Sequence, residues 1–417
     1  MGWWVPANRL KDDQRRYINE MATAVHKNDT GIFWVKGFAG TGKTTVLTHL
    51  AVTLKNDRKG KNESFCYITY THALKELAHK TLLNENKGGF MKEMTHTKFL
   101  VENRTYDFVF LDEVQDIRPR DLERIKTLSR FLFIAGDCEQ SIYNESPKEE
   151  DIDRIYTPKK LFFWQILRLT KCMADIAKSI LPSSKINEGD PKNTNGDSSI
   201  NIYKFKSQQE EFDWIENEAK NRASPGNPSC ILLSHHFCIE DFFHYLQVKY
   251  NLPIANGPFD PKNRDIKRDR YGNVIWSRLP YKQLNGFFKY HKIPFSYLGN
   301  DIGSLSDSDR QPLVYIMTFH SSKGLDFENV FIPQMNDNKE IVFDKILEKT
   351  PGLDQRLLFV AVTRSRKELY ISHSTSKPHS YINNLPKGTY AQIDKTICQP
   401  QEQDDYLDDN GEFGDFF

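Results

Sequence analysis

A glycine-rich segment, Gly37–Thr44, has the residue types and spacing needed to bind the phosphate groups of a nucleotide. It fits the pattern G-x-x-x-x-G-K-[ST] and lies between an apolar run, Ile32–Val35, and a stretch with helical spacing. Glycines allow backbone N–H groups to surround phosphate oxygens, and a helix N-terminus adds positive potential. Lys43 is expected to reach the β and γ phosphates, and the Thr44 hydroxyl to ligate Mg²⁺. The segment therefore predicts a site for ATP and Mg²⁺.

A pair of acids, Asp112-Glu113, follows the apolar run Phe108–Leu111. At the end of a strand near a phosphate-binding loop, Asp112 is expected to hold Mg²⁺. Glu113 is expected to act as the general base on the attacking water. Acids at strand ends are also common as solvated or capping residues, but the glycine-rich loop favours the catalytic interpretation.

Several further motifs narrow the prediction to one family. They are Asp112–Asp116, Gly136–Tyr143, Thr318–Phe327 and Leu358–Ser365, with shorter elements at Leu10–Gln14 and Thr69–His72. In this order they resemble the motifs of UvrD/Rep-type superfamily 1 helicases, and they cover about residues 10 to 372. The resemblance implies two RecA-like P-loop domains. It also implies an ATP-dependent helicase or translocase on single-stranded DNA, with 3′ to 5′ polarity.

The same resemblance assigns the nucleotide site residue by residue. The catalytic residues are expected to be Lys43, Glu113, Gln140, Arg168 and Arg364. Gln140 would sense the γ-phosphate, Arg168 would be a second contact to it, and Arg364 would be the arginine finger. The remaining ATP contacts are expected from residues of the first element, the loop and the Thr318–Phe327 motif: Gln14, Gly37, Gly40, Gly42, Lys43, Thr44, Thr45 and Asp326. Thr44 and Asp112 are the expected metal ligands.

The nucleic-acid contacts implied by the resemblance are Tyr70, His96, Tyr143, His320 and Lys323. The first three fall at family positions near the single strand, whereas His320 and Lys323 fall at positions that couple the strand to the nucleotide. A tyrosine after a strand is more often a packing residue than a platform for a base, so both interpretations of Tyr70 and of His96 stay open.

The chain departs from the family pattern in three ways. Leu167 occupies the position of the tyrosine that stacks on adenine, and Asp326 is one methylene shorter than the family's ribose-binding Glu. Only 22 residues separate His72 from Thr95, where a large subdomain is usual. Reduced accessory subdomains leave an alternative function, a nucleic-acid-activated ATPase switch that acts through a partner protein without unwinding. The later motifs argue against a small-molecule P-loop kinase.

The elements that must position these residues are apolar runs of four or five residues that alternate with helical patterns. This alternation predicts an α/β fold with parallel sheets covered on both faces. We expect an N-terminal ATP-binding domain over residues 1–148 and a second RecA-like domain over 149–398, with a small insertion at about 255–285. The charged run 262–270 in this insertion is either a phosphate-tracking loop or a solvated turn.

The charge distribution predicts a nucleic-acid partner despite a net charge of +1. Residues 399–417 hold seven acids and no Lys or Arg, so the rest of the chain carries an excess of about eight positive charges. We expect single-stranded DNA, rather than RNA, as the partner. The tail is predicted to be disordered and to dock a protein or restrain the chain itself, with a merely solvated tail as the alternative. Without a membrane-spanning apolar run or paired cysteines, the chain is expected in the cytoplasm.

Overall fold

The computed structural model describes residues 5–86, 89–143, 145–193, 200–251, 278–299 and 301–396. The predicted tail, 399–417, and most of the predicted insertion, 255–285, lie outside the described residues. The described chain forms two parallel β-sheets with helices on their faces, which confirms the predicted α/β fold class.

The first sheet has six parallel strands in the order β3-β2-β4-β5-β1-β6. The strands are β1 Phe33–Gly37, β2 Phe65–Thr69, β3 Lys92–Thr95, β4 Tyr106–Leu111, β5 Ser129–Gly136 and β6 Lys159–Phe163. Their connecting helices are α1 Asp12–His26, α2 Lys43–Asp57, α3 His72–Asn86, α4 His96–Glu102, α5 Pro119–Thr127 and α6 Glu149–Tyr156.

The central strands of the first sheet are apolar on both faces because helices cover both faces. Aromatic side chains on β2, β4 and β5 stack across one face, with ring centroids 4.6 Å apart for Phe65 and Phe108 and 5.1 Å for Phe108 and Phe131. Stacked rings of this kind stabilise a sheet by more than their buried area alone. The sheet is therefore a rigid base for the polar residues that follow its strands.

The connection between the sheets contains a two-strand pair, β7 Gln165–Ile166 with β8 Asp190–Pro191, and helix α7 Lys171–Ile180. The second sheet has seven parallel strands in the order β11-β12-β10-β13-β14-β9-β15. These are β9 Ile200–Lys204, β10 Ser229–Leu233, β11 Phe295–Tyr297, β12 Val314–Thr318, β13 Phe327–Ile332, β14 Ser365–His373 and β15 Ala391–Asp394. Its helices are α8 Gln208–Arg222, α9 His236–Lys249, α10 Arg278–Tyr290, α11 Asp344–Leu347, α12 Leu353–Val362 and α13 Ser380–Asn383.

The first sheet extends beyond residue 148, where the sequence predicts the first domain to end. Strand β6 pairs in parallel with β1, from Phe33 opposite Lys159 to Gly37 opposite Phe163. The backbone hydrogen bonds of β6 therefore assign residues 159–163 to the first sheet, although they lie in the predicted second domain. The division of the chain into domains itself stays a prediction. Among the described residues, no helix has the length and apolar character needed to cross a membrane.

Candidate nucleotide site and nucleic-acid interface

The phosphate-binding loop connects β1 to α2 at the carboxyl edge of the first sheet. Gly40 and Gly42 have φ values of 77° and 86°, a left-handed conformation that glycine adopts without steric cost. A Cβ atom at Gly40 would lie 2.6 Å from the Arg168 Cβ, and one at Gly42 would lie 2.5 Å from the Gln14 Nε2. The two glycines therefore allow Arg168 and Gln14 to contact the loop.

Lys43 is the first residue of α2, and its side chain folds back over the loop. Its Nζ atom donates hydrogen bonds to the carbonyl oxygens of Gly37, at 2.9 Å, and Phe38, at 3.0 Å. Burial lowers the pKa of Lys43, an effect that the charges of Asp137 and Glu113 oppose. The ammonium group is thus held at the loop by neutral carbonyls and faces carboxylates across it.

Thr44 and Asp112 offer oxygen ligands side by side. The Thr44 hydroxyl donates to Asp112 Oδ2 at 2.7 Å, and the Tyr67 hydroxyl donates to the same oxygen at 3.2 Å. Burial, and then the charge of Glu113, raises the pKa of Asp112. Mg²⁺ prefers carboxylate, hydroxyl and water oxygens, and a cation would offset the cost of burying this carboxylate. The two side chains therefore fit a magnesium site.

Glu113 is held in position by two neighbouring motifs. Its backbone is left-handed, with φ of 56°, and its carboxylate accepts a hydrogen bond from the Gln115 amide nitrogen. The Gln115 Oε1 atom in turn accepts the N–H of Asp137 at 3.0 Å. Burial alone would raise the pKa of Glu113, but the charges of Lys323 and Lys43 outweigh it and lower the pKa. The carboxylate is consequently ionised and oriented, as a general base requires.

Arg364 reaches from the second sheet to the first. Its guanidinium donates to the carbonyl oxygens of Val360 and Leu325, at 2.8 and 3.0 Å, and to the Thr363 hydroxyl at 3.0 Å. One Nη2 contact crosses to Gln140 Oε1 at 3.4 Å. Burial, and then the charge of Arg168, lowers the pKa of Arg364 to about 9, which leaves it charged at neutral pH.

Arg168 lies between the loop and the second sheet. Its Nη1 atom donates to Asp326 Oδ2 at 3.3 Å, and Arg366 Nε lies 3.7 Å from the other Asp326 oxygen. In the described part of the chain, no acceptor lies within hydrogen-bond distance of the Arg168 Nε atom, although that atom is buried. A buried N–H group without a partner costs free energy, so this site is suited to a phosphate oxygen.

These groups line one cavity of about 280 Å³ between the two sheets. Its walls include the predicted side chains or backbone of Gln14, Gly40, Gly42, Lys43, Thr44, Thr45, Glu113, Gln140, Arg168, Asp326 and Arg364. Gly37 and Asp112 do not line it: Gly37 is the last residue of β1, and Asp112 is buried and accepts the Thr44 hydroxyl. Leu167 forms part of the wall, where the resemblance led us to expect an aromatic ring.

Four aromatic side chains form a row beside this cavity, which we call the aromatic row: His96, Tyr70, Tyr143 and His320. The ring centroids of Tyr70 lie 5.0 Å from His96 and 4.4 Å from Tyr143. Tyr143 lies 6.3 Å from His320, which comes from the second sheet. All four are half-buried, so the row presents ring surface and edges to solvent. Stacked aromatic rings are suited to contact nucleic-acid bases.

Lys323 lies beneath the aromatic row. Unlike the other four predicted nucleic-acid contacts, its side chain is buried. Its side chain is 2% exposed, and its Nζ atom contacts Asp116 Oδ1 at 2.6 Å and the carbonyl oxygen of Gln140. The same Nζ atom lies 5.9 Å from the Tyr143 ring centroid. Lys323 thus connects the aromatic row to Gln140 in the cavity wall and does not face solvent.

Two residues of this arrangement had no role in the sequence-based site. Gln115 orients Glu113, and Asp116 pairs with Lys323 across the two sheets. Both residues lie in the Asp112–Asp116 motif. Their polar side chains within that motif were the sequence signal that could have indicated these roles. Burial raises the pKa of Asp116 to about 7 although Lys323 lies next to it.

The fold and the cavity define a P-loop protein whose phosphate-binding loop faces a second parallel sheet. Residues 21–146 match the family model of an AAA domain, and residues 291–376 match that of the UvrD-like helicase C-terminal domain. The chain belongs to the UvrD/Rep type of superfamily 1 helicases.

Curated relatives match segments of the chain. A probable DNA helicase II homolog of Mycoplasma genitalium is 31% identical over 162 residues, which cover 34% of this chain and 22% of that protein. The ATP-dependent DNA helicase Rep of Buchnera aphidicola is 36% identical over 102 residues, 23% of this chain and 15% of that protein. The matched part of the chain thus spans about a fifth or less of these relatives. The solved complex of the arterivirus nonstructural protein 10 helicase with DNA aligns with a TM-score of 0.43 and 15% identity, over 88% of this chain and 65% of that one.

Proposed function

We propose that this chain hydrolyses ATP in the cavity between its sheets and uses the cycle to move along, or unwind, DNA from a single strand in the 3′ to 5′ direction. The observation that carries this proposal is the convergence on one cavity of the phosphate-binding loop, Glu113 and two arginines, with Arg364 contributed by the second sheet. A nucleotide bound there contacts both sheets. Its hydrolysis therefore changes how they are held together.

The chemistry proposed for the cavity is phosphoryl transfer to water. Lys43 and Arg168 balance the charge of the phosphates, and Glu113 accepts a proton from the attacking water. Arg364 stabilises the charge that spreads over the transferred phosphoryl group. Gln140, which touches Arg364, reports the presence of the γ-phosphate to the second sheet.

Thr44 and Asp112 are proposed to hold Mg²⁺, which when bound neutralises negative charge on the phosphate oxygens. Gln14 is proposed to recognise the adenine edge. Asp326 is proposed to lie near the ribose, but its two arginine neighbours compete for its oxygens. We therefore expect the ribose contact to be weak.

The aromatic row is the proposed site for the bases of the single strand. His320 belongs to the second sheet and the other three rings to the first, so a strand laid along the row contacts both sheets. Lys323 supports the coupling between strand and nucleotide. It touches Tyr143 on one side and the Asp116 carboxylate and Gln140 carbonyl on the other.

The second candidate is an ATPase switch that is activated by nucleic acid and acts through a partner protein without unwinding. The short connections favour it. Helix α3 leads almost directly to β3, and only residues 298–313 lie between β11 and β12. Neither connection has room for a large accessory subdomain that could separate a duplex.

A strand-displacement assay beside an ATPase assay tests the proposal and separates the two candidates. Duplexes with a 3′ or a 5′ single-stranded tail are incubated with the chain and ATP, with Glu113→Gln as the inactive control. The motor predicts displacement, or movement along the tail, on the 3′-tailed substrate only. DNA-stimulated hydrolysis without either would support the switch, and hydrolysis indifferent to DNA would overturn both.

A further inference from the structure

Glu76, on α3, crosses from the first sheet's helices to the segment between β11 and β12. Its Oε2 atom accepts the N–H of Leu305 at 2.9 Å, and its Oε1 atom accepts the N–H and hydroxyl of Ser306 at 3.2 and 2.9 Å. The Ser304 hydroxyl donates a further hydrogen bond to Oε1. One carboxylate thus binds four donors that lie 228 to 230 residues away in the chain.

These donors are concentrated because Leu305–Ser308 is a short 3₁₀ helix whose first N–H groups lack partners inside the helix. A carboxylate there satisfies these donors and interacts favourably with the helix dipole. Burial alone would raise the pKa of Glu76, but the hydrogen bonds from Ser304, Leu305 and Ser306 lower it. The contact is therefore charge-assisted at neutral pH.

Helix α3 makes further contacts with the second sheet's side, one an ion pair and one apolar packing. One turn beyond Glu76, the Lys80 Nζ atom lies 2.9 and 3.0 Å from the two carboxylate oxygens of Asp309. At the start of the helix, a Cβ atom on Gly324 would lie 2.5 Å from Leu74, so the glycine permits direct packing beside Lys323. The second sheet is thus attached to α3 at several points along the helix, including its first residue, His72, which lies 3.8 Å from Asp301.

Helix α3 borders both the aromatic row and the nucleotide cavity. The helix begins at His72, two residues after Tyr70 in the aromatic row. Leu77 and Thr81, on another side of the same helix, line the nucleotide cavity. A strand that displaces Tyr70 would therefore shift a helix that borders the cavity and is attached to the second sheet.

We propose that Glu76 is a positioning residue that transmits binding of the single strand to the nucleotide cavity, by fixing α3 to residues 304–306. It touches neither nucleotide nor strand. Its effect is on the fraction of molecules whose two sheets close around ATP when DNA is bound. This inference rests on the proposed function, because it assigns the route by which DNA stimulates hydrolysis.

The test compares Glu76→Ala and the double variant Ser304→Ala/Ser306→Ala, which removes two of the four donors from the other side. ATP turnover is measured with and without an oligothymidine strand, and strand affinity by fluorescence anisotropy. We expect strand affinity and turnover without DNA to stay within about twofold. The DNA-stimulated kcat should fall about 10-fold, the change that losing about 1.4 kcal/mol of one charge-assisted contact gives.

Glu63→Ala is the matched control, because Glu63 pairs with Arg58 on the first sheet's side and does not touch the second sheet. The Glu63→Ala change should lower the free energy of unfolding without reducing the stimulation of ATP turnover by DNA. The combined variant of Glu76 and both serines should be no worse than Glu76→Ala alone, since both changes remove one contact.

Several results would overturn the inference. They are undiminished stimulation in a folded Glu76→Ala protein, additive effects in the combined variant, or equal losses in the Glu63 control. If Glu76→Ala does not fold, the serine variant decides the question alone. Absence of stimulation in the unmodified chain would instead refute the proposed function, and the coupling with it, so the two failures are distinguishable.

Discussion

Replacing Arg364 with alanine should abolish most catalysis while leaving ATP binding nearly intact. Three of the guanidinium's contacts are to its own neighbours, Val360, Thr363 and Leu325, and these hold it rigidly at the cavity wall. Only the 3.4 Å contact to Gln140 crosses to the first sheet. The group is thus placed before the reaction begins, and its main partner is the charge that develops during phosphoryl transfer.

The expected magnitude follows from the burial and charge of the side chain. Arg364 is 1% exposed and still charged at neutral pH, so water screens its interaction with the phosphoryl oxygens very little. Arginine fingers in comparable sites contribute about 10³ to 10⁵ in rate. We expect kcat to fall by at least about 10³, and the Kd for ATP to change less than about threefold.

The assay is steady-state ATP turnover with saturating single-stranded DNA, combined with direct measurement of nucleotide affinity. Arg356→Ala serves as the control, because Arg356 is on α12, the helix that immediately precedes Arg364, but donates to the Pro351 carbonyl and does not line the cavity. It should retain turnover. An Arg364→Ala protein that loses ATP binding but keeps its maximal rate would refute the arginine-finger assignment.

Three further predictions concern the loop, two half-buried histidines and the tail. Lys43→Ala and Glu113→Gln should each abolish hydrolysis, and Glu113→Gln should retain ATP binding; normal turnover in either would contradict the assigned chemistry. Burial and neighbouring positive charge lower the pKa of His236 and of His320 to about 4, so between about pH 6.5 and 4 only the unfolded chain takes up protons on them. The free energy of unfolding should fall between about pH 6.5 and 4, and less steeply in His236→Gln, as urea denaturation at pH 7 and 5 would measure. Deleting 399–417 should leave basal turnover unchanged, and either raise DNA affinity at low salt or abolish capture of a protein partner; a truncated chain equal to full length in both would mean a merely solvated tail.

Local sequence was sufficient to predict the phosphate-binding side of the site. A glycine-rich loop after an apolar strand, and acids after another strand, must meet at one edge of a parallel sheet. Lys43, Thr44 and Asp112 accordingly lie together as predicted. Strand β3, Lys92–Thr95, was missed because it is short and polar, and its pairing with β2 depends on tertiary context.

Contacts between the two sheets could not be predicted from local sequence patterns. Glu76 and Lys323 each pair with residues more than 200 positions away, and nothing near either residue in the chain indicates its partner. Strand β6 lies past the predicted boundary at residue 148, and its pairing with β1, which extends the first sheet to Phe163, also depends on tertiary contacts.

The measurement that tests the central claim most directly is ATP turnover with and without single-stranded DNA at increasing salt. Lys323 contacts both Gln140 of the cavity wall and Tyr143 of the aromatic row, and the described body of the chain, unlike the tail, carries no excess of acids. We predict strong stimulation by single-stranded DNA that weakens as salt rises, because phosphate contacts release counterions. Turnover that single-stranded DNA leaves unchanged at every salt concentration would contradict the account.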